Sequence, residues 1–436
     1  MSVSVDQNNL EFTNALYLME DTDSNLFITG EAGTGKSTLL KFFVANSRKN
    51  VAVLAPTGLA AINAGGQTIH KFCQFPPRMM TSESIQEVKI PAQKQILKHL
   101  QTLVIDEISM VRADMFDGID LFLRLNRRIN LPFGGVQLIL MGDLMQLPPI
   151  LNSEERVAFG QRYNSPYFFG SQVFPQMQFK YIRLEKNYRQ KGDLEFLELL
   201  QSVKQGQITP PVLSKLNSRY EADNDNISGL SIHLSTTNQI AAELNHTRLN
   251  NIAGKSFDFE AEISGQFNER DCPAESELRL KKGAQVMFIR NDPQGRWVNG
   301  TIGKISLVND FKVMVELEGG EVYEVEPVRW EAIKYEYDEE QEKVVPKVVG
   351  WMEQFPLKLA WGVTIHKSQG QTFQKVIIDL GRGSFAHGQT YVALSRCTSL
   401  AGISLKRPLE KRDFILDRQV LQFLNQIVWN EDVVYE

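Results

Sequence analysis

The sequence predicts an α/β protein: two parallel-sheet units in series, a small insert in the first, and a small antiparallel β-barrel inserted in the second. Three observations carry this prediction. Short apolar runs alternate with helical stretches through the first third of the chain, as in a parallel sheet with crossover helices. The same alternation restarts near Tyr181 and resumes after Phe355. Between them, Leu278 to about Val348 is rich in Val, Ile, Lys and Glu in β alternation, punctuated by Gly283, Gly295, Gly300, Gly303, Gly319 and Gly320. The expected boundaries are 1–180 for the first unit, 181–277 with 349–436 for the second, and 278–348 for the barrel.

Taken in order, Leu26–Thr29, Val51–Ala55, Leu103–Asp106 and Val136–Met141 are continuous apolar runs, as expected of strands buried on both faces. Lys36–Asn46 and Met115–Arg128 have helical periodicity between them. Phe75–Gln95 is polar, carries Pro76, Pro77 and Pro91, and has room only for a small excursion from the sheet. In the second unit Ile182–Leu184 reads as a strand. Asp193 caps a helix whose Leu194, Leu197, Leu200 and Val203 share a face. Ser231–Leu234 and Val376–Asp379 are further strands, and Gln239–Leu249 a further helix.

Composition narrows the class. The 436 residues carry 47 basic and 52 acidic side chains, a net charge of −5, with 42% hydrophobic and 23% charged residues. Such a chain has a sizeable core and is neither disordered nor collagenous. No run approaches the roughly 18 apolar residues of a membrane span. The opening MSVSVDQNNLEF has no export or transit pattern. Cys73, Cys272 and Cys397 are too far apart for a disulfide framework or a Cys-based zinc spacing, so a reducing compartment is expected. The slight acidity speaks against a protein that coats nucleic acid, but allows a basic groove on an acidic body.

Gly30-Glu31-Ala32-Gly33-Thr34-Gly35-Lys36-Ser37-Thr38 satisfies the pattern GxxxxGK followed by Ser or Thr, after a strand and at the start of a helix. Gly33, Thr34, Gly35, Lys36, Ser37 and Thr38 are therefore the expected phosphate cradle, with backbone N–H groups pointing inward. Lys36 would reach the β and γ phosphates, and Ser37 would ligate Mg²⁺. Leu103-Val104-Ile105-Asp106-Glu107 ends an apolar strand in two carboxylates: Asp106 for the metal, Glu107 for the proton of an attacking water. No Asn-Lys-x-Asp guanine signature occurs, so the expected nucleotide is ATP. Gln146, in Gly142-Asp143-Leu144-Met145-Gln146-Leu147-Pro148-Pro149, is placed to sense the γ phosphate or the water. Arg189 and Arg396 lie outside the expected phosphate-loop unit. Each is a candidate guanidinium for the transferring phosphoryl group, a surface ion pair being the other common use of an arginine.

The motifs GEAGTGKST, APTGLAAINAGGQTIHKF, IDEISM, GDLMQLPPI, LEKNYRQ, WGVTIHKSQGQTF and YVALSRC, in this order, resemble superfamily 1 DNA helicases, in particular the petite integration frequency (PIF) family. LEKNYRQKGDLEFLELLQSVKQG is similar to the segment that sets this family apart from other RecD-like helicases. The resemblance covers nearly the whole chain. It implies two RecA-like motor domains with ATP between them, a wedge at about 75–95, and a Src-homology-3-like barrel in the second domain. It further implies 5′-to-3′ translocation on single-stranded DNA, with Gly370 at the nucleotide. Duplex junctions, G-quadruplexes and DNA–RNA hybrids become expected substrates. A monomer is expected, in the cytoplasm at the nucleoid if bacterial, or in a nucleus or mitochondrion. An adenine-reading glutamine ahead of the first helix is not evident; only Gln7 is near.

Read physically, Thr57 and Gly58 end a strand and open a small-residue helix, offering a hydroxyl and N–H groups to a sugar-phosphate chain. His70, Lys71 and Phe72 add a donor, a charge and a ring. Thr236, Thr237 and Asn238 occupy the equivalent place in the second unit, and Thr364, His366 and Lys367 add a further polar element. Two such ledges, one per motor, are what translocation requires. The barrel holds Arg290, Asn291, Arg296, Trp297 and Asn299, a composition that suits either closure over the strand or a plain protein–protein module. Three other readings of the scaffold are an RNA-directed motor or packaging ATPase, a non-catalytic nucleic-acid-binding module, and a subunit of a recombination nuclease complex.

Overall fold

The computed structural model describes residues 6, 9–31, 33–76, 79–80, 94–152, 154–186, 188, 193–220 and 230–429. Six strands form the first sheet: β1 (Asn25–Gly30), β2 (Val51–Ala55), β3 (Gln67–Thr68), β4 (Thr102–Ile105), β5 (Gln137–Gly142) and β6 (Phe179–Leu184). Their order is β3-β2-β4-β5-β1-β6, and each adjacent pair is parallel. Every residue of β4 and β5 is buried, which is why these strands read as unbroken apolar runs. Helices α1 (Leu10–Asp21), α2 (Lys36–Asn46) and α3 (Gly58–Ala64) follow caps or strand ends. Because the strands are parallel, β1, β2, β4 and β5 deliver the phosphate loop, Thr57, the Asp106–Glu107 pair and Asp143 to the same sheet edge, where open α/β sheets bind ligands.

A second sheet holds β7 (Ile232–Ser235), β18 (Gly362–Thr364), β19 (Val376–Asp379) and β20 (Ile403–Leu405), ordered β18-β7-β19-β20 and parallel throughout. Between β7 and β18 lies the insert. Five of its strands, β11 (Gln285–Phe288), β12 (Ile302–Val308), β13 (Val313–Leu317), β14 (Val322–Val325) and β17 (Leu357–Leu359), make an antiparallel sheet around Val286, Phe288, Ile305, Val313 and Val315. β8 (Ser256–Glu260) and β10 (Glu277–Lys281) pair beside it.

Several expected boundaries move. β6 is an edge strand of the first sheet, paired along its whole length with β1, so the first unit runs past 180. The helix Arg418–Gln426 also returns to the first unit: its Phe423 stacks on Phe169 with centroids 4.3 Å apart and meets Phe168 and Phe174 edge-on. The insert begins near Ser256 rather than 278. It extends as a long hairpin, β15 (Val328–Asp338) and β16 (Lys343–Gln354), with β9 (Glu262–Gly265) along its side. In the helix Leu194–Lys204, Asp193 is the cap, accepting the Phe196 N–H at 2.9 Å. Its buried face, however, is Phe196, Leu199, Leu200 and Val203, and Leu194 is exposed. The wedge expected at 75–95 lies largely outside the described residues. Among the described residues no helix is long and apolar enough to cross a membrane.

The hairpin closes the open side of the first sheet. β3 is only two residues long, so the start of β2 has no strand beyond it. The Tyr335 hydroxyl accepts the Val53 N–H at 2.9 Å, the Gln67 amide donates to the Ile333 carbonyl, and the Val344 N–H donates to Asn50 at 2.8 Å. Tyr337 stacks on His99 at 4.1 Å. A buried backbone N–H needs such a partner. Tyr335→Phe should therefore destabilise the protein by about 1–3 kcal/mol, through an unpaired Val53 N–H, as measured by denaturant unfolding. An unchanged midpoint would show that the hydroxyl is dispensable.

Candidate functional site: a cleft between two sheets

The phosphate loop folds around two glycines with left-handed backbone, Gly33 at φ +92° and Gly35 at φ +86°. A side chain at Gly35 would also meet the Phe12 ring of α1 at 2.7 Å, so both conformation and packing require glycine there. Thr34 is buried, its hydroxyl donating to the Glu31 carbonyl at 2.9 Å. Ser37 and Thr38 are exposed. Lys36 opens α2 and turns back over the loop, its ammonium donating to the carbonyls of Gly30 at 2.6 Å and Glu31 at 2.9 Å. Burial lowers its pKa, opposed by the carboxylates of Asp143, Glu107 and Asp106.

Those three carboxylates face one half-buried lysine. Asp106 accepts the Glu107 N–H at 2.9 Å, and burial raises its pKa. Glu107 sits at φ +50°, a left-handed conformation that costs a non-glycine residue roughly 1–2 kcal/mol and recurs at functional sites. Burial, then the adjacent Asp106, raises its carboxyl to about 7. Asp143 accepts the Gln146 amide at 3.1 Å, and Gln146 is itself buried.

The second sheet supplies the opposite wall. After β18 the chain makes a tight turn: Thr364 Oγ1 accepts the Lys367 N–H at 3.2 Å, and Ser368 N–H donates to the Thr364 carbonyl at 2.9 Å. At its end Gln369 crosses the cleft. Its side-chain Nε2 donates to Glu107 Oε2 at 3.2 Å and to Gln146 Oε1 at 3.0 Å. Gly370 follows at φ +79°. Arg396 is fully buried, and its guanidinium donates to the carbonyls of Val392, Ser368 and Gln371 at 3.0, 3.3 and 3.2 Å. In this arrangement Arg396 braces the turn that carries Gln369, and its charge is felt at the opposite wall, where it lowers the Glu107 pKa. Lower in the cleft, His387 Nδ1 accepts the Asp417 N–H at 2.9 Å, which leaves the proton on Nε2 for the Leu144 carbonyl at 2.9 Å. Burial lowers the His387 pKa, consistent with this neutral tautomer.

Arg189 and Gln7 lie outside the described residues. The strand that leads to Arg189, β6, belongs to the first sheet, and Tyr188 N–H donates to the Gly33 carbonyl at 2.9 Å. The Tyr188 hydroxyl meets Asp6 and Asn9, both at 3.0 Å, tying the segment ahead of α1 to the phosphate loop. Gln369, His387 and Tyr188 were not singled out by sequence. Gln369 lies in the run Thr364-Ile365-His366-Lys367-Ser368-Gln369-Gly370, where its neighbours carry the more obvious chemistry.

The two ledges match closely. Thr57 and Thr237 each follow a strand and cap a helix, with φ/ψ of −122°/155° and −128°/150° and hydroxyls accepting from Ala60 N and Ile240 N. Thr237 and Asn238 are exposed. A cleft of about 680 Å³ is lined by Thr57, Gly58, His70 and Lys71 on one side and by Gln266, Phe267, Asn268 and Asp271 on the other. His366 stacks on Phe385 with centroids 6.3 Å apart, beside exposed Lys367. Two expected contacts are corrected. Phe72 is buried, edge-on to Tyr335 and Phe122 in the core. Thr364 is buried and its hydroxyl caps its own turn. Trp297 stacks on Phe288 at 4.3 Å inside the barrel, with Arg296 over its ring and paired to Asp292. Asn291 is exposed, its Oδ1 accepting the Asn299 N–H at 2.7 Å.

Two RecA-like sheets, a phosphate loop on one and a bridging turn from the other, define a P-loop protein of the two-domain motor class. A model of the PIF1-like helicase family matches residues 4–212, and one of the DNA helicase Pif1 2B domain matches residues 269–307. The chain is 32% identical over 425 residues to the ATP-dependent DNA helicase Pif1 of Bdellovibrio bacteriovorus, covering 95% of this chain and 91% of that one. It is 34% identical over 419 residues to the ATP-dependent DNA helicase PIF1 of Xenopus laevis, covering 92% of this chain and 62% of the frog protein. It thus spans about three fifths of the length of that relative. Among solved structures it resembles Bacteroides sp Pif1 in complex with ADP-AlF4, with a TM-score of 0.89, 33% identity and 97% of each chain covered. Against Bacteroides Pif1 bound to ssDNA the TM-score is 0.69, at 34% identity and 97% of each chain. The chain belongs to the PIF1-like helicase family.

A carboxyl raised from its ordinary 4.5 to about 7 favours folding fully only below the lower value, and the benefit is lost as pH rises through the upper one. Glu107→Gln, which removes this charge, should raise the melting temperature of the nucleotide-free protein at pH 8 by about 2–4 °C. The gain should fade towards pH 5. A pH-independent difference in calorimetry would contradict the assignment of a burdened carboxylate.

Proposed function

We propose that this chain is an ATP-dependent DNA helicase that translocates 5′ to 3′ on single-stranded DNA and unwinds duplexes ahead of it. The observation that carries this reading is the bridged cleft: the carboxylate beside the phosphate loop is bonded by a side chain from the second sheet. The turn that provides this side chain also carries Lys367 and His366. The Pif1 relatives named as ATP-dependent DNA helicases, and the ssDNA-bound Bacteroides structure, support the same substrate class.

In this proposal ATP lies on Gly33–Thr38 with Lys36 leaving its loop carbonyls for the β and γ phosphates. Glu107 takes the proton of the attacking water, and Gln146 orients that water. Arg189 would reach the γ phosphate, and Gly370 would approach the nucleotide. Mg²⁺ fits the donor set. Three carboxylates, Asp143 buried and Asp106 and Glu107 half-buried, oppose one lysine, which leaves negative charge for a cation, and Ser37 and Asp106 are the expected ligands. Among the described residues no cluster of three His, Cys, Asp or Glu side chains is arranged to hold an ion alone. Phosphate oxygens and water would complete the shell, as is usual for Mg²⁺. The strand would run over Thr57, Gly58, His70, Thr237, Asn238, His366 and Lys367, with Asn291 of the insert beside it. Closure of the cleft would bring one threonine ledge towards the other. We further propose that the chain acts as a monomer, and that G-quadruplexes are among its substrates.

Lys36→Ala should abolish DNA-stimulated ATP hydrolysis, at least a hundredfold by steady-state assay; normal turnover would overturn the site. A duplex with only a 5′ tail should be opened and one with only a 3′ tail should not. The reverse result would overturn the polarity, and stimulation by RNA alone would favour an RNA motor.

A further inference from the structure

Gln369 has no role in the mechanism so far, yet it is the side chain that joins the two walls of the cleft. Both hydrogens of its amide nitrogen are used, one on Glu107 Oε2 at 3.2 Å and one on Gln146 Oε1 at 3.0 Å. These are the proposed base and the proposed water-orienting residue. Gln146 is fixed from its other end by donating to Asp143 at 3.1 Å, so the three side chains form one chain of donors and acceptors.

The turn that carries Gln369 is held on both flanks. On one side Thr364, its hydroxyl bonded to Lys367 N–H, sets the start of the turn; Gln369 N–H donates to the His366 carbonyl at 3.2 Å. On the other, the Arg396 guanidinium takes the carbonyls of Ser368 and Gln371. His366 and Lys367 face the proposed strand, and Gln369, two and three residues on, faces the base. A displacement of this turn by a bound strand would carry the amide with it.

We propose that Gln369 is a positioning residue for hydrolysis, aligning Glu107 and Gln146 according to the place of the turn that meets DNA. The proposal rests on the helicase reading above. It makes the second sheet's contact with the strand a condition for orienting the base in the first. A carboxylate that must accept a proton from one water molecule is sensitive to misplacement of about 1 Å, which is worth up to a hundredfold in rate.

The test compares Gln369→Ala, which removes the amide, with Gln369→Glu, which keeps the reach but presents oxygens that cannot donate. ATP hydrolysis is measured with and without oligo-deoxythymidine, and binding of the same oligonucleotide by fluorescence anisotropy. Both variants should lose about tenfold or more in DNA-stimulated kcat, Gln369→Glu the more, with KM for ATP and oligonucleotide Kd within twofold of the unaltered protein. A kcat within twofold in either variant would overturn the proposal. So would a loss of oligonucleotide affinity equal to the loss in rate, since that would make Gln369 part of the DNA ledge. If Lys36→Ala is inactive while both Gln369 variants turn over normally, this inference fails and the helicase reading stands. If Lys36→Ala is active, the reading itself fails.

Discussion

The cleft is organised by a charge imbalance. One half-buried ammonium, on Lys36, is set against the carboxylates of Asp106, Glu107 and Asp143 at the edge of a parallel sheet. Parallel pairing makes this unavoidable, because β1, β4 and β5 all end at the same edge and each ends in functional residues. Desolvation works against Lys36, Asp106 and Glu107, lowering the lysine and raising the two carboxyls. The structure accommodates the strain locally. The lysine leans on loop carbonyls, Asp106 takes the N–H of its neighbour, and Glu107 accepts from the other domain. A site so short of positive charge favours further cationic groups.

Much of this was legible in the sequence because it depends on local pattern. Buried parallel strands are unbroken apolar runs, and the phosphate loop needs its glycines, lysine and hydroxyl at fixed spacing. What escaped depends on tertiary partners. β6 looks like the opening of a second α/β unit, yet it pairs with β1, since strand order is not written in strand spacing. Leu194 shares a helical repeat with Leu197 and Leu200, but the neighbouring elements meet the face of Phe196 and Leu199 instead. Phe72, an aromatic residue beside a histidine and a lysine, resembles a stacking platform and proves to be core. That Arg396 also holds a tight turn is not visible in the sequence, because the carbonyls of Ser368 and Gln371 that take its donors lie more than twenty residues away. Gln369 gave no signal, as a single amide in a polar run has no distinctive spacing.

The insert changes what the first sheet is. A two-residue β3 would leave part of β2 with unpaired backbone at a sheet edge, where stray pairing is a hazard. The β15–β16 hairpin supplies a phenol and a carbonyl in place of a strand. Side-chain and end-on contacts of this kind are fewer than a strand ladder provides, so the edge is covered without being locked. The ledge of Thr57 and Gly58 faces Gln266 to Asp271 from the same insert, so one module touches both the sheet edge and the proposed path of the strand.

The return of the C-terminal helix to the first sheet has a mechanical consequence. Phe423 anchors the far end of the polypeptide beside Phe168 and Phe169, while β6 anchors the entry to the second sheet only a few residues before Asp193. The second lobe is therefore tethered to the first at both its entry and its return, and the hairpin of the insert adds a third attachment at Val53 and Asn50. Three separated attachments fix a plane, so the two walls of the cleft are held in register by contacts that lie far from it in sequence.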